Sequence, residues 1–217
     1  MRLNYAALAG LVNATLMMAL FTVVSPCVAA QGKTVLMIGD SLTAGLGLPR
    51  AQSIPERLEV ALQAAGLAAR IINAGVSGDT TAGGRARIGW ALSEKPDAVI
   101  LELGANDGLR GLDPKATYEN LDVIIAKIIR SGARVLLTGM KAPPNLGTEY
   151  GGEFNQIFPR LAAKHRIALM PFFLDGVAGI AELNQDDAIH PNEHGVSIVV
   201  GNLLPYVTRL LQEGPHE

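Results

Sequence analysis

The chain contains the stretch Thr34-Val35-Leu36-Met37-Ile38-Gly39-Asp40-Ser41-Leu42, in which an apolar run ends abruptly in a glycine and small polar residues. A short run of aliphatic and β-branched residues that ends in this way is typical of a buried strand. Residues 43–47 are small and rich in glycine, which predicts that Ser41 lies on a turn beyond the carboxyl end of the strand. Open α/β sheets bind their ligands at that edge. Ser41 is therefore the first candidate for a functional residue.

Four more apolar runs follow along the chain, at residues 69–72, 98–103, 134–137 and 167–171. Between the runs, apolar residues recur every three or four positions, which predicts helices. Strands that alternate with helices indicate parallel βαβ units, and short, nearly continuous apolar runs indicate that helices cover both faces of the sheet. We therefore predict an α/β fold with three layers around a central parallel five-stranded sheet.

Three positions predict where helices start, break or bend. Asp113 stands before Pro114 and predicts a capped helix start. Pro159 predicts an interruption of the helix around residues 154–161, because proline lacks the backbone N–H group. Pro205 predicts a kink in the last helix, which we expect over residues 196–211.

The first thirty residues have the pattern of a secretory signal peptide. Arg2 supplies a positive charge, residues 5–28 carry none, and Val28-Ala29-Ala30 fits a cleavage site. A retained membrane anchor and a lipid on Cys27 are the alternatives. We favour cleavage because polar residues interrupt the apolar run and because Pro26 suits lipidation of Cys27 poorly.

The pattern predicts a signal peptide over residues 1–30 and one domain over residues 31–217. We expect the mature protein in the periplasm or outside the cell. We expect no stable membrane anchor after cleavage. Cys27 is the only cysteine of the chain, so the mature protein has no thiol for catalysis or for metal binding.

Charge and composition argue against several classes of partner. The net charge is −2 and no block of like charges occurs, which argues against nucleic acid and against a polybasic membrane anchor. Aromatic residues make up 5% of the chain, too few to suggest stacking platforms for bases or polysaccharides. The glycines near residue 75 do not match a dinucleotide fingerprint, and no Walker lysine is present.

Polar, glycine-containing stretches follow the first three predicted strands, at residues 39–42, 73–81 and 104–108. Parallel strands end at the same edge of a sheet, so we expect these stretches to converge. Acyl transfer needs a nucleophile, a base and hydrogen-bond donors for the developing oxyanion. The backbone N–H groups of Ser41 and Gly78 and the side-chain amide of Asn106 are the candidate donors.

Asp187-Ala188-Ile189-His190 offers a base for Ser41. A spacing of three residues lets a turn bring both side chains to one side, where Asp187 would orient the imidazole of His190. His194 is the rival base and Asp186 the rival carboxylate, but only His190 has a carboxylate at this spacing. Each element alone is ordinary turn chemistry. Their joint occurrence, in order and at strand ends, predicts a serine hydrolase.

At these residues the chain resembles the SGNH hydrolases, also called the GDSL family of esterases and lipases. The family's four motif blocks occur in order, at residues 39–42, 77–80, 104–107 and 187–190. The resemblance implies a flavodoxin-like three-layer α/β/α sandwich. It also implies a Ser41 nucleophile with His190 and Asp187 as partners, and an oxyanion hole formed by Ser41, Gly78 and Asn106. Ala105 departs from the pattern, because a second glycine is usual there.

Within the family, residues 102–111, 170–174 and 185–192 are similar to bacterial periplasmic enzymes that act as arylesterase, acyl-CoA thioesterase and lysophospholipase. The resemblance implies an exported serine esterase of broad specificity that needs no metal and no organic cofactor. Its substrate would be a small-molecule ester or thioester with an acyl chain. We expect the enzyme to be a monomer. We expect the acyl chain to contact apolar loop residues, namely Leu109, Leu112, Leu146 and Ile157.

Two alternatives remain open at this point. The family fold also hosts carbohydrate esterases that remove acetyl groups from cell-wall sugars, but Trp90 and four tyrosines offer little aromatic lining for a sugar. The other alternative is a binding module without activity. A module that had lost its activity would lack the nucleophile, the base or the amide, and this sequence has all three.

Overall fold

Five parallel strands form the centre of the structure, a computed structural model that describes residues 32–212. The strands are β1 Lys33–Gly39, β2 Ala69–Gly75, β3 Ala98–Glu102, β4 Arg134–Thr138 and β5 Ala168–Met170. They pair in the order β2-β1-β3-β4-β5, which is the flavodoxin-like order. The predicted α/β fold with a parallel five-stranded sheet is confirmed, and each strand end lies within three residues of the predicted one.

Eight α-helices connect and cover the strands in the part of the chain that the structure describes. They are α1 Ser41–Ala44, α2 Ile54–Ala64, α3 Thr81–Ala91, α4 Ala105–Leu109, α5 Pro114–Arg130, α6 Thr148–Asn155, α7 Ile157–His165 and α8 Glu193–Gln212. Helix α2 packs against α8, while α5 packs between α3 and α7. Every residue of β3 and β4 is buried, as continuous apolar runs between two helical layers require.

The helix boundaries confirm two of the three predictions about helix starts, breaks and bends. Asp113 caps α5, because its carboxylate accepts a hydrogen bond of 2.9 Å from the backbone N–H of Lys115. The interruption predicted around Pro159 is also confirmed, since α6 ends at Asn155 and α7 begins at Ile157. Pro159 cannot donate a hydrogen bond to the Asn155 carbonyl, four residues before it, so the hydrogen bonds of one continuous helix are interrupted there. Pro159 stands in the first turn of α7, where no backbone N–H is needed for the helix. Helix α8 continues through Pro205, and the kink there stays a prediction.

The predicted leader, including Cys27 and the cleavage site after Ala30, lies outside the described residues. Between residues 32 and 212, no helix is both long and apolar enough to cross a membrane. The carboxyl edge of the sheet carries the polar loops after β1, β2 and β3, which is the position that the sequence predicted for the functional site.

Candidate active site

Ser41 is the first residue of α1 and follows β1 after a single intervening residue, Asp40. Asp40 forms the cap of this short helix, because its Oδ1 accepts a hydrogen bond of 3.0 Å from the backbone N–H of Leu42. Only 8% of Ser41 is exposed. Within residues 32–212, the backbone N–H of Ser41 has no hydrogen-bond acceptor, so it is free to donate to a ligand.

The imidazole of His190 lies between Ser41 and Asp187. Its Nε2 is 2.8 Å from the Ser41 Oγ, and its Nδ1 is 2.6 Å from the Asp187 Oδ2. The other carboxylate oxygen of Asp187 accepts the backbone N–H groups of His190 at 3.0 Å and of Ile189 at 2.9 Å. These backbone hydrogen bonds lower the pKa of Asp187 to about 2. Asp187 is therefore a carboxylate at neutral pH, as a partner for a protonated imidazole must be.

The loop that carries this pair is closed on itself and tied to the Ser41 segment through Gln185. The backbone N–H of Gln185 donates to the carbonyl of His190 at 2.7 Å. Its side-chain Nε2 donates to the carbonyls of Leu46 at 2.8 Å and Pro191 at 3.0 Å. Inside the loop, Ala188 has a φ of 59°, a left-handed conformation that non-glycine residues adopt at a cost. Gln185 was not singled out from the sequence.

The rival residues do not reach Ser41. His194 lies in the first turn of α8, and its hydrogen bond runs from its backbone N–H to the side chain of Asn192. Asp186 forms no hydrogen bond with an imidazole in the described part of the chain. The structure thus brings His190 and Asp187, the pair favoured from the sequence, to Ser41.

The other two predicted donors line the same cavity as Ser41. Gly78 has a φ of 79°, a conformation that favours glycine, and its backbone N–H has no acceptor within residues 32–212. The side-chain Nδ2 of Asn106, in α4, donates to Asp40 Oδ2 at 3.1 Å. Arg110 joins the two, since its Nη2 donates to the Gly78 carbonyl at 3.0 Å and to the Asn106 Oδ1 at 3.5 Å.

Two buried or half-buried charged residues hold the loops that carry these donors. Arg87 forms an ion pair of 2.7 Å with Asp79 and donates to the carbonyls of Ala74 at 2.7 Å and Gly39 at 2.8 Å. It therefore ties the Gly78 loop to the ends of β1 and β2. Asp107, next to Asn106, accepts hydrogen bonds from the backbone N–H and the hydroxyl of Thr81 at 2.9 and 2.5 Å.

Sequence reasoning missed both roles. Taken alone, the stretch at residues 104–108 was interpreted as ordinary turn chemistry, with no separate role for Asp107, and Arg87 was not considered. The available signal was a charged residue inside one motif block, Asp107, and a charged residue seven residues after another, Arg87, because such a residue needs a partner once it is buried.

A pair of buried carboxyl groups lies beneath the Ser41 turn. Burial raises the pKa of Asp40 from 3.8 to about 6, although its hydrogen bonds from Leu42 and Asn106 act in the opposite direction. Glu102, at the end of β3, is fully buried, and its burial and the nearby Asp40 raise its pKa well above the ordinary 4.5. Between residues 32 and 212, no three His, Cys, Asp or Glu side chains are grouped to hold a metal ion.

Ser41 and His190 open onto a cavity of about 410 Å³ with a mainly apolar lining. The larger apolar side chains are those of Leu42, Leu46, Leu109, Met140, Phe172, Leu174 and Ile189. Lys141 also lines the cavity, and its Nζ stands 4.4 Å from the centre of the Phe172 ring. The cavity can hold an acyl chain beside the serine hydroxyl.

Of the four side chains predicted to contact the acyl chain, Leu109 alone lines this cavity. Ile157 is only 2% exposed, because it faces the core from α7. Leu112 and Leu146 lie outside the cavity, and the Leu146 side chain points towards Gly111 instead. The sequence gives no sign of whether an apolar residue faces a cleft, the core or solvent. The core position of Ile157 argues against its predicted contact with the acyl chain, whereas contacts with Leu112 and Leu146 stay predictions.

Comparison with known proteins places this geometry in a family. Residues 37–198 match the model of the GDSL-like lipase/acylhydrolase family. Esterase TesA of Pseudomonas aeruginosa is 42% identical over 183 residues, which cover 84% of this chain and 91% of that protein. An arylesterase of Vibrio mimicus is 44% identical over 158 residues, covering 72% of this chain and 79% of the relative.

A third relative combines several activities in its name. Thioesterase 1/protease 1/lysophospholipase L1 of Escherichia coli is 37% identical over 174 residues, covering 80% of this chain and 82% of that protein. Among solved structures, a crystal structure of TesA superposes with a TM-score of 0.79 at 41% identity, covering 82% of this chain and 99% of that one. The resemblance found in the motif blocks is confirmed over most of the chain.

Proposed function

Since the chain belongs to the GDSL-like lipase/acylhydrolase family and is a broad-specificity SGNH esterase, we propose that it works through an acyl-enzyme on Ser41. His190 is the base and Asp187 its partner. The contact of 2.8 Å between the Ser41 Oγ and the His190 Nε2 carries this proposal, because a hydroxyl needs a base within this reach to become a nucleophile.

In the first half of the reaction, Ser41 Oγ attacks the ester carbonyl carbon while His190 Nε2 takes the hydroxyl proton. The carbonyl oxygen becomes an oxyanion, which accepts hydrogen bonds from the N–H groups of Ser41 and Gly78 and from the Asn106 amide. Asp187 stabilises the positive charge of the imidazole through Nδ1. When the tetrahedral species collapses, the bond to the leaving group breaks and His190 returns the proton to it.

In the second half, water attacks the acyl-enzyme. His190 takes a proton from the water molecule, and a second tetrahedral species forms in the same oxyanion hole. Its collapse releases the carboxylic acid and restores the Ser41 hydroxyl with the proton from His190. The cycle consumes one ester and one water molecule and requires no group beyond these residues.

The substrates are small-molecule esters, and we propose that they include thioesters and lysophospholipids with an acyl chain. The apolar cavity supports this, since it offers Leu109, Phe172 and neighbouring side chains to a hydrocarbon chain. The names of the relatives, an arylesterase and a thioesterase with lysophospholipase activity, support the same range. The carbohydrate O-acetylesterase alternative finds less support, because Trp90 is 76% exposed and does not line the cavity.

We further propose that residues 1–30 direct export and are removed after Ala30, which leaves a monomeric enzyme of residues 31–217 in the periplasm or outside the cell. The pattern of Arg2, an uncharged apolar run and Val28-Ala29-Ala30 supports this. The mass of the protein recovered from a periplasmic fraction tests it, and a mass that includes the first thirty residues would contradict cleavage.

Turnover of p-nitrophenyl esters from acetate to palmitate, together with palmitoyl-CoA, tests the reaction. We expect the mature wild type to hydrolyse esters of longer acyl chains and the thioester, and we expect Ser41→Ala to lose this activity while it keeps its circular dichroism spectrum. Activity on acetate esters alone would favour the carbohydrate esterase. Activity that survives in folded Ser41→Ala would remove Ser41 from the mechanism.

A further inference from the structure

Glu102 is a fully buried acidic side chain at the end of β3 that the proposed reaction does not use. Its Oε2 accepts two hydrogen bonds, one of 3.2 Å from the backbone N–H of Asp40 and one of 2.7 Å from the hydroxyl of Thr43. Asp40 directly precedes Ser41, and Thr43 lies two residues after it. Glu102 therefore fastens the turn that carries Ser41 to the centre of the sheet.

The close approach of Glu102 leaves no room for a side chain at Gly39. A Cβ atom at Gly39 would lie 2.3 Å from the Glu102 Oε2 and 2.0 Å from the Thr43 Oγ1, far inside van der Waals contact. A side chain at Gly39, the first residue of the first motif block, would clash with the Glu102 carboxyl group and with Thr43. Glycine at this position therefore lets Glu102 reach the backbone of Asp40.

The surroundings of Glu102 disfavour a charged carboxylate. Its Oε1 is buried and has no hydrogen-bond partner within residues 32–212. A second carboxyl group, that of Asp40, lies beside it and raises its pKa together with burial. Burial, the unpaired oxygen and the negative neighbour therefore favour the neutral acid over the carboxylate, although the hydrogen bonds from Thr43 and Asp40 act in the opposite direction.

The other charged groups near this pair do not neutralise Glu102. Arg87 reaches the Gly39 carbonyl from α3, and its ion pair is with Asp79 on the Gly78 loop. His190 faces Asp40 from the opposite loop, where its charge favours ionised Asp40. No Lys or Arg side chain in the described part of the chain forms an ion pair with Asp40 or Glu102.

We propose that Glu102 is a positioning residue of the esterase reaction, which holds the Ser41 turn as a neutral carboxylic acid. It does not touch the substrate. By accepting the Asp40 N–H and the Thr43 hydroxyl, it fixes both the Oγ and the backbone N–H of Ser41. This inference rests on the proposed role of Ser41 as the nucleophile.

Kinetics of four variants test the positioning role with p-nitrophenyl butyrate. We expect Glu102→Ala to lower kcat by about 10–100-fold with KM within about twofold, because a misplacement of about 1 Å costs on the order of 100-fold in rate. Glu102→Gln should restore most of this loss, since a neutral amide oxygen accepts the same two hydrogen bonds. Thr43→Val, which removes one donor at constant size, should lie between them. Glu94→Gln, an exposed glutamate, is the control.

Carbon-13 NMR of protein labelled at the glutamate carboxyl groups tests the charge. The signal that is missing in Glu102→Gln belongs to Glu102, and we expect it to keep the chemical shift of a protonated acid through neutral pH. Ser41→Ala should show the same signal, so a failure of the proposed nucleophile would leave this measurement intact.

Three results would overturn the proposal: a Glu102 signal that moves to the ionised position below neutral pH, wild-type kcat in folded Glu102→Ala, or equal losses in folded Glu102→Gln and Glu102→Ala. Should Glu102→Ala fail to fold, the Glu102→Gln kinetics and the Thr43→Val kinetics still decide. Wild-type kcat in Thr43→Val or a large loss in folded Glu102→Gln would then contradict the proposal.

Discussion

At the scale of single residues, we expect substitutions of two histidines, His190 and His194, to have different effects on kcat. His190 contacts Ser41 and Asp187, whereas His194 contacts neither. We expect His190→Ala to lower kcat by about 1000-fold or more, because no other base reaches Ser41. His194→Ala should stay within about threefold of the wild type in kcat. Equal losses in the two folded variants, measured on the same ester, would contradict the choice of base.

The amide of Asn106 is tested at the same scale. Its Nδ2 is held by Asp40 at 3.1 Å, and it lines the cavity beside Ser41. If it donates to the oxyanion, Asn106→Ala should lower kcat by roughly 100–1000-fold with little change in KM. Asn202→Ala is the control, because the Asn202 amide also donates to one acceptor, the Asp175 carbonyl, but Asn202 does not line the cavity. Unchanged turnover in Asn106→Ala would remove this residue from the oxyanion hole.

At the scale of elements, the Gln185 side chain ties the loop of residues 185–190 to the Ser41 segment, in addition to the contact between His190 and Ser41. Gln185 bridges 139 residues of sequence to reach the carbonyl of Leu46. We expect Gln185→Ala to lower kcat by about tenfold while KM changes little, because the imidazole loses its fixed distance to the hydroxyl. Gln63→Ala, an exposed glutamine on α2, is the matched control. A Gln185→Ala enzyme with the kcat of the control would show that the loop keeps its position unaided.

How far the sequence predicts these elements depends on the range of the interactions. Apolar runs are local, so all five strands were predicted. The motif blocks after β1, β2 and β3 and the block before α8 predicted that Ser41, Gly78, Asn106 and His190 lie together, and all four line one cavity. Glu102 and Arg87 bind atoms that lie 62 and 48 residues away in the sequence. No local pattern reveals such partners. The same limit applies to Ile157, since its sequence neighbours do not tell whether it faces the cavity or the core.

At the scale of the whole molecule, two carboxyl groups of the candidate site, those of Asp40 and Asp187, make stability depend on pH in opposite senses. The pKa of Asp40 is raised to about 6 in the folded protein, so the fold binds its proton more tightly than the unfolded chain. Its contribution to stability is full below pH 3.8 and is lost as the pH rises through 6. The pKa of Asp187 is lowered to about 2, so its contribution is present above pH 3.8 and is lost as the pH falls through 2.

Urea unfolding of the wild type and of Asp40→Asn measures the first effect. We expect the urea concentration at the unfolding midpoint of the wild type to decrease, relative to that of Asp40→Asn, as the pH rises from about 4 to about 6. The difference arises because an asparagine in place of Asp40 has no proton to lose in this range. Asp187→Asn is the opposite case. The urea midpoint of the wild type should decrease relative to that of Asp187→Asn only as the pH falls below about 4. A wild-type minus Asp40→Asn difference that stays constant from pH 4 to 6 would contradict the raised pKa.

The hydrogen bond between Ser41 and His190 joins residues that are 149 positions apart. Ribosomes add about 5–20 residues each second, so roughly 7–30 seconds separate the synthesis of the two side chains. On the proposed mechanism, the serine is without its base during that interval, and its hydroxyl is no more reactive than any other. Ester hydrolysis would then begin only after residue 190 has been made and the chain has folded, so that a shorter nascent chain or an unfolded one would not attack the proposed thioester and lysophospholipid substrates.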